Sequence, residues 1–584
     1  MDIFADFATR LSTMLVELYP EADGMEELVA RATMEPPRDP SHGDISSNIA
    51  MLSAGALGEK PRDIAQKLAD RLQSDPDIKS VEVAGPGFLN FRLAGNLWRR
   101  VLLAVLTEKE NFGRSGIGAG KKVNVEFVST NPTGPMHVGH TRGAVFGDAL
   151  ASLLQFSNYQ VTREYYINDA GAQVDVLARS AFLRYCEALG QEIGEIPAGL
   201  YPGTYLVPVG KGLAAEFGDK FVDQPENVWL AVFKQRALEA MMDLIRADLA
   251  RLGVVHDFFF SETALHGENG KIAQTLLWLR QKGLVYQGTL PPPKGKVPED
   301  WEDREQTLFR ATEFGDDTDR PLIKSDGSYT YFAADIAYHR DKYLRGFTDQ
   351  IIVLGADHSG YSKRLKAAVK AVSQDKAAID VKICQIVRLM RDGKPFKMSK
   401  RSGDLITVAD LVNEVGTDAA RFMLLFRRND AMMDFDFARV KEQTRDNPVF
   451  YVQYAHARAC SVARMAQKDL PDLDISLPAL RGANLDLLAS EEEFALLGVL
   501  AQWPRLVGLA ARSHEPHRVA FYLYELAGAL HAFWAKGKQD PSLRFVNDKD
   551  PKLSLARLAL VEGVRQVLAL GLKLLGVSAP KELS

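Results

Sequence analysis

Two short motifs, His137-Val138-Gly139-His140 and Lys397-Met398-Ser399-Lys400, constrain this chain more than any other feature. The first follows a β-branched run from Val123 to Val128 and a Pro/Gly turn, and it opens an apolar-periodic helix from about Thr141 to Leu154. The second lies in a polar loop after the apolar strand candidate Val381 to Met390, just ahead of another helix. A strand, a loop and a helix N-terminus gather backbone N–H groups and the positive end of a helix dipole, which is where anions bind. Two imidazoles at one such place and two ammonium groups at another suit a bound triphosphate, so chemistry on ATP is expected.

From about Lys121 to Asp446 strand and helix patterns alternate, which predicts an α/β fold: a Rossmann-like parallel sheet with crossover helices, over residues 120–446. That pattern is interrupted between about 190 and 320. There Pro291-Pro292-Pro293-Lys294-Gly295-Lys296 and the acidic run Gly315 to Asp319 read as surface loops of an inserted subdomain. Residues 1–115 mix a helical period (Phe4, Phe7, Leu11, Leu15) with strand-like ends (Val81 to Ala84, Phe88 to Phe91), a small α+β module. The stretch Gly113 to Gly120 is a linker candidate. Beyond Asn447-Pro448 the pattern is almost purely helical, so residues 447–584 form an all-α domain. In it Ser490-Glu491-Glu492-Glu493 is a capping box ahead of the apolar run Phe494 to Leu509, and a last helix runs from about Pro551 to Leu575.

Composition narrows the class. With 584 residues, 46% hydrophobic and 25% charged, the chain has room for several cores. No run of about eighteen uncharged apolar residues suggests a membrane span, and the first residues lack a basic-then-apolar export signal. Cys186, Cys384 and Cys460 are too scattered for a disulfide framework or a zinc site, so reduced thiols and a cytoplasmic location are expected. A net charge of −5 does not exclude RNA, because local stripes set phosphate attraction. One stripe runs through Lys363, Arg364, Lys366 and Lys370, then Arg388, Arg391, Lys394, Lys397, Lys400 and Arg401. No self-complementary heptad seam is present, and a monomer is expected. His256, His266, His339 and His456 read as structural.

The chemistry of the two motifs can be stated from their side chains. His137 and His140 at a helix start can donate hydrogen bonds to an α-phosphate as charge develops there, and Gly139 leaves the backbone open to close approach. Lys397 and Lys400, on a loop containing Gly393 and Gly403, can close over a departing pyrophosphate, with Ser399 adding a hydrogen bond. Any Mg²⁺ is expected to travel on the phosphates, since no carboxylate cluster has ligand spacing.

This pair of motifs, in this order, resembles that of class I aminoacyl-tRNA synthetases. The block from Glu126 to Arg142 (Glu-Phe-Val-Ser-Thr-Asn-Pro-Thr-Gly-Pro-Met-His-Val-Gly-His-Thr-Arg) is similar to that of arginyl-tRNA synthetases of the bacterial type. So are Arg163 to Gln173, Tyr329 to His339 and Gly355 to Tyr361, and the resemblance runs over essentially the whole chain. It implies an arginine–tRNA ligase that makes arginyl-adenylate and pyrophosphate from arginine and ATP, then loads the tRNA 3′ end. It assigns Pro132, Gly134, His137, Gly139, His140, Asp357, His358 and Lys397 to Lys400 to ATP. It assigns Glu126, Ser129, Asn131, His140, Tyr331, Asp335 and Asp357 to arginine. It makes 447–584 an anticodon-binding domain, with Tyr451, Tyr454, His456 and Arg458 as tRNA candidates, and 1–115 a domain touching the outer corner of the tRNA. Activation that depends on bound tRNA is implied as well. Many arginyl enzymes carry degenerate lysine motifs, whereas this one is complete. The alternatives are another class I synthetase or a nucleotidyl transferase of the same motif with a non-tRNA substrate, separable by tRNA binding. A non-catalytic RNA-binding relative would show decay of the motifs.

Overall fold

The computed structural model describes residues 1–22, 27–28, 31–290, 305–396 and 406–583. The chain forms two compact units, one of residues 118–442 and one of residues 1–117 with 443–584.

The first unit is built on a five-stranded sheet. Its strands are β1 (Lys122–Glu126), β2 (Gln160–Ile167), β3 (Phe258–Ser261), β4 (Asp349–Gly355) and β5 (Ala378–Cys384). All neighbours are parallel and the order across the sheet is β5-β4-β1-β2-β3. Three helices border the carboxyl ends of these strands or pack behind them: α1 (Val138–Phe156), α2 (Tyr331–Leu344) and α3 (Ser362–Ser373). The chain leaves β1 toward β2 on one side and later returns to place β4 on the other. Such a reversal opens a crevice at the carboxyl ends of β1 and β4. The interior strand β1 is buried from Val123 to Glu126, as expected where helices cover both faces of a sheet.

Helix α1 starts earlier than the apolar period predicts, because His137 is its N-cap and the histidine motif forms its first turn. Gly147, farther along it, lies under Phe127: a Cβ there would be 2.2 Å from the Phe127 ring. The stretch Val381 to Met390 is two strands rather than one. β5 ends at Cys384, and Val387–Arg391 pairs in a separate small sheet with Met433–Asp436. The break falls at Gln385, whose carbonyl accepts from Arg142 at 2.9 Å. The same buried guanidinium also donates to the carbonyls of Ala431 (2.8 Å) and Arg428 (2.6 Å), so it pins α1 to both flanking segments.

The interval 190–320 is not one block, because β3 belongs to the main sheet. Before it, helices Val207–Phe217 and Glu226–Arg251 pack with Ala172–Ala188 around Phe182 and Trp229, whose rings stack at 4.0 Å. After it, Val285–Gly288, Gln306–Phe309 and Arg320–Pro321 form a small antiparallel sheet. The acidic run at Gly315 to Asp319 is a surface loop with Asp317 exposed, but it is anchored at two points. Asp316 is buried against Arg320 at 2.8 Å, and Asp319 accepts from Thr312 and Tyr286. Residues Pro291 to Lys296 lie outside the described residues.

In the second unit the helix Ile3–Leu18 buries Phe4, Phe7, Leu11 and Leu15, beside a four-stranded antiparallel sheet that includes Ile78–Ala84 and Phe88–Leu93. Its C-terminal part holds the helices Pro448–Asp469, Glu491–Ala501, Trp503–Ser513, His517–Gln539 and Pro551–Leu574. Ser490 and Glu493 form the expected capping box. The run Phe494 to Leu509 is split at Gln502, ahead of Pro504. By length and composition Glu491–Ser513 could cross a membrane, but 56% of its most apolar window is buried within the protein. The two ends of the chain meet in this unit: the Trp503 indole N–H donates to the Phe112 carbonyl at 3.0 Å, and Arg505 donates to the Met34 carbonyl at 2.9 Å.

Replacing Gly147 with Ala should overpack the Phe127 contact and lower stability by about 1–3 kcal/mol, read as a reduced thermal midpoint. An unchanged midpoint would contradict the close approach.

Candidate active site

The carboxyl end of β1 starts the site. Glu126 is its last residue, and the next turn carries two successive non-glycine residues with positive φ, Val128 at 72° and Ser129 at 41°. Such backbone costs on the order of 1–3 kcal/mol per residue and persists only where neighbours over-determine it. They do so here. The Ser129 hydroxyl donates to Glu126 Oε1 at 3.2 Å and accepts from the Tyr166 N–H at 3.1 Å, while the Tyr165 hydroxyl donates to the Thr130 carbonyl at 2.8 Å. Beyond it, Pro132 is buried, and the Tyr205 hydroxyl donates to the Thr133 carbonyl at 2.7 Å with its ring against Gly134.

The two motif histidines stack with ring centroids 3.7 Å apart. His137 Nδ1 accepts from the Gly139 N–H at 3.1 Å, and His140 Nδ1 accepts from the His137 N–H at 3.3 Å. Because each Nδ1 is an acceptor, the proton of each neutral ring sits on Nε2. His140 Nε2 lies 3.2 Å from the Thr130 hydroxyl. Burial lowers the His137 pKa, and burial with the neighbouring His137 takes His140 down to about 4. At neutral pH the pair therefore presents two oriented N–H dipoles, not two charges. A Cβ on Gly139 would stand 2.8 Å from the His137 ring, so only glycine fits between them.

Lys397, Met398, Ser399 and Lys400 lie outside the described residues. Residues 401–405 do as well; from Ile406 on, the Ile406 carbonyl accepts from the Val138 N–H at 2.9 Å, and the Val408 N–H donates to the Met136 carbonyl at 3.0 Å. His137 and Thr407 form a β-bridge. Residues 406–408 are thus clasped to the histidine motif.

A cluster of carboxylates gathers at the turn after β1. Asp335, in the first turns of α2, accepts from the Tyr361 hydroxyl at 2.5 Å. Burial pushes its pKa up to about 7; the Tyr361 hydrogen bond opposes this, and the charges of Glu126 and Glu262 add to it. Burial also raises Glu262, the residue after β3. Burial raises the Tyr166 phenol, and the negative field of Glu262, Asp335, Glu126 and Asp169 raises it further. Carboxylates crowded around one aromatic ring favour a cation, and a forked planar one can engage more than one of them. Glu262 has no counterpart among the candidates read from sequence. Its position at the carboxyl end of a strand is the available signal, masked by the aromatic run Phe258 to Phe260.

The other candidate residues spread around this centre. Asn131 is exposed and accepts from the Asn168 amide at 3.0 Å. Tyr331 is 75% exposed, one turn before Asp335 on the same helix face, with the Lys324 ammonium 5.5 Å from its ring centroid. Asp357 and His358 follow β4 and are exposed, 3.3 Å apart. Much of the basic stripe is already paired: Lys363 with Asp317, Arg388 with Asp434 and Arg391 with Glu414, while Arg364 lies over the Tyr361 ring. His256 and His339 are buried, with hydrogen bonds to the Phe127 carbonyl and the Gln350 side chain, whereas His266 is more open, 3.6 Å from Glu262.

In the other unit a cavity of about 700 Å³ is lined by Arg445, Phe450, Tyr451, Tyr454, Arg458 and His531. Arg458 donates to His531 Nδ1 at 2.6 Å and lies over the Tyr454 ring. Residues 451, 454 and 458 share a helix face; His456 does not. It is buried on the other side with the Pro580 carbonyl 2.8 Å from its Nδ1, so packing accounts for it.

Three family descriptions match the chain: "Arginyl tRNA synthetase N terminal domain" over residues 5–93, "tRNA synthetases class I (R), catalytic domain" over 101–195 and 301–458, and "DALR anticodon binding domain" over 452–583. The chain is 56% identical to an arginine–tRNA ligase of Rhizobium rhizogenes, and 57% identical to one of Brucella suis, over 100% of both partners in each case. The solved structure of Thermus thermophilus arginyl-tRNA synthetase covers 94% of this chain and 96% of its own at a TM-score of 0.67 and 22% identity, a likeness of fold.

With the Asp335 carboxyl near 7, it is mostly charged at about pH 8 and mostly protonated at about pH 6, so affinity for a guanidinium ligand should fall about tenfold over that interval. Equilibrium binding of labelled arginine across the range checks it, and a flat profile would contradict the assignment.

Proposed function

Because the chain belongs to the arginyl-tRNA synthetase family and is a class I arginine–tRNA ligase, we propose a division of labour among its residues. The observation that carries it is the turn after the central strand β1, which ties a cluster of carboxylates at Glu126 to the N–H-donating histidine pair through Ser129 and Thr130.

Glu126 and Asp335, with Glu262 beside them, hold the arginine guanidinium, Asp335 giving up its proton as the cation arrives. Tyr331, one turn earlier on α2, closes over the side chain. Ser129 and Asn131, on the strained turn after β1, meet the substrate's backbone end with His140, and Asp357 faces it from the end of β4. Activation forms a bond from the arginine carboxylate oxygen to the α-phosphorus of ATP and breaks the bond to the β-phosphate oxygen. The Nε2–H groups of His137 and His140 donate to the phosphate oxygens on which charge builds. Their neutrality suits them to this, because they neither repel the substrate cation nor need to lose a proton first. Pro132, Gly134 and Gly139 shape the turn against the nucleotide, and Asp357 and His358 contact it from β4. Lys397 and Lys400 neutralise the departing pyrophosphate, with Met398 and Ser399 completing the loop. The clasp of Ile406–Val408 onto the histidine motif supports this reading. Mg²⁺ enters on the ATP phosphates. The tRNA 3′ hydroxyl then attacks the activated carbonyl and releases AMP.

Residues 1–115 and 447–584 serve the tRNA. The cavity at Tyr451, Tyr454 and Arg458 offers aromatic faces and cations suited to an unstacked base and its phosphates. Three free thiols among the described residues fit a cytoplasmic enzyme, and we take the working form as a monomer.

ATP–pyrophosphate exchange in the presence of tRNA should require arginine and largely fail with lysine, whose single ammonium cannot satisfy a forked set of acceptors. Equal exchange with lysine would overturn the pocket assignment. His140→Ala should lower turnover about 100-fold or more while tRNA affinity stays near wild type. Tyr454→Ala should do the converse, weakening tRNA binding in a filter assay while arginine KM holds.

A further inference from the structure

Glu126 and Glu164 stand in register on the adjacent parallel strands β1 and β2, and both are buried. Two carboxylates so placed repel one another and are costly to desolvate. Glu164 has its own partners: Arg345 grips it through two hydrogen bonds at 2.8 and 2.9 Å, and the Tyr338 hydroxyl and the Asn124 amide each donate to it at 2.7 Å. Glu126 accepts from Lys342 at 2.6 Å. The Lys342 side chain has no exposed surface, and its ammonium lies 4.3 Å from the Tyr338 ring centroid. Lys342 sits on α2 at the seventh position after Asp335, so one helix carries both a pocket acid and the counter-ion of another.

We infer that Lys342 is a positioning and specificity residue: through Glu126 it holds the turn at Ser129 in the form that receives arginine. The route is short. Lys342 holds one carboxylate oxygen of Glu126, the other accepts from Ser129, and Ser129 in turn holds the left-handed backbone that leads to Asn131. A compact ammonium is suited to this place, because it can neutralise Glu126 without extending a fork of donors into the pocket meant for the substrate's own guanidinium. The inference rests on the proposed role of Glu126 in binding arginine, and the experiment separates the two.

Arginine KM and ATP KM are measured by ATP–pyrophosphate exchange with tRNA for Glu126→Gln, Lys342→Met, Lys342→Arg and the double variant Glu126→Gln/Lys342→Met, each with its thermal midpoint. Glu126→Gln should raise arginine KM about tenfold or more, as loss of a charged hydrogen-bonding partner does. Lys342→Met should raise it similarly with ATP KM unchanged, and the double variant should be no worse than Glu126→Gln alone. Lys342→Arg, which keeps the charge, should still raise arginine KM because its larger fork displaces Glu126, and this variant carries the test if Lys342→Met is too unstable to assay. Wild-type arginine KM in either Lys342 variant, with only the thermal midpoint lowered, reduces the lysine to a structural role and overturns the inference. So does a double variant whose arginine KM rises by the product of the single effects. Wild-type arginine KM in Glu126→Gln would instead remove Glu126 from the pocket, and the inference would fall with it.

Discussion

Two neighbouring carboxylates inside a sheet need two cations, and in this chain both come from one helical stretch and its cap. Glu126 and Glu164 are held by Lys342 and Arg345, while His339 on the same helix faces Gln350 of β4 at 2.7 Å. These contacts fix α2 in rotation and height against β1, β2 and β4. Asp335 can then face the crevice only where it does. Apolar pairs in place of buried ionic ones often match them in stability, but here they would remove the carboxylate that accepts from Ser129 at the turn after β1.

The site sorts its electrostatics by position. At the helix end the histidines are kept neutral by burial and presented as dipoles, with their tautomers set by backbone N–H groups. Beyond them, carboxylates gather to the point where Asp335 titrates near neutrality. A resting pocket that holds a proton in place of its cation avoids the full repulsion of its acids and exchanges that proton for the ligand. Three buried or half-buried arginines of the first unit are committed elsewhere: Arg142 to three carbonyls, Arg421 to Asp148, Arg345 to Glu164 and Asp341.

Much of this is legible along the chain where the signal is local. The histidine motif, its glycine, the strand before it and the helix after it depend on residues within about twenty positions, and the capping box at Ser490 is complete in four. Signals that depend on distant partners mislead. Val381 to Met390 looks like one strand because nothing in it announces that Arg142 will take the Gln385 carbonyl. In the acidic run at Gly315 nothing local announces that Asp319 will accept from Tyr286, on a strand well before it. His456 lies close to Tyr454 and Arg458 in sequence, yet helical rotation of two positions sends it to the opposite face.

By itself the sequence determined the chemistry available: which imidazoles, ammonium groups and carboxylates exist, and which of them open helices or end strands. Those are properties of short-range backbone geometry and residue type. Only the tertiary structure decided which groups meet. It brought Ile406–Val408 onto Met136–Val138, added Glu262 to the pocket, gave Glu126 a buried lysine and packed the two ends of the chain into one unit. The reason is physical: long-range pairing is selected by burial and charge neutralisation over the whole fold, and no window along the chain contains both partners.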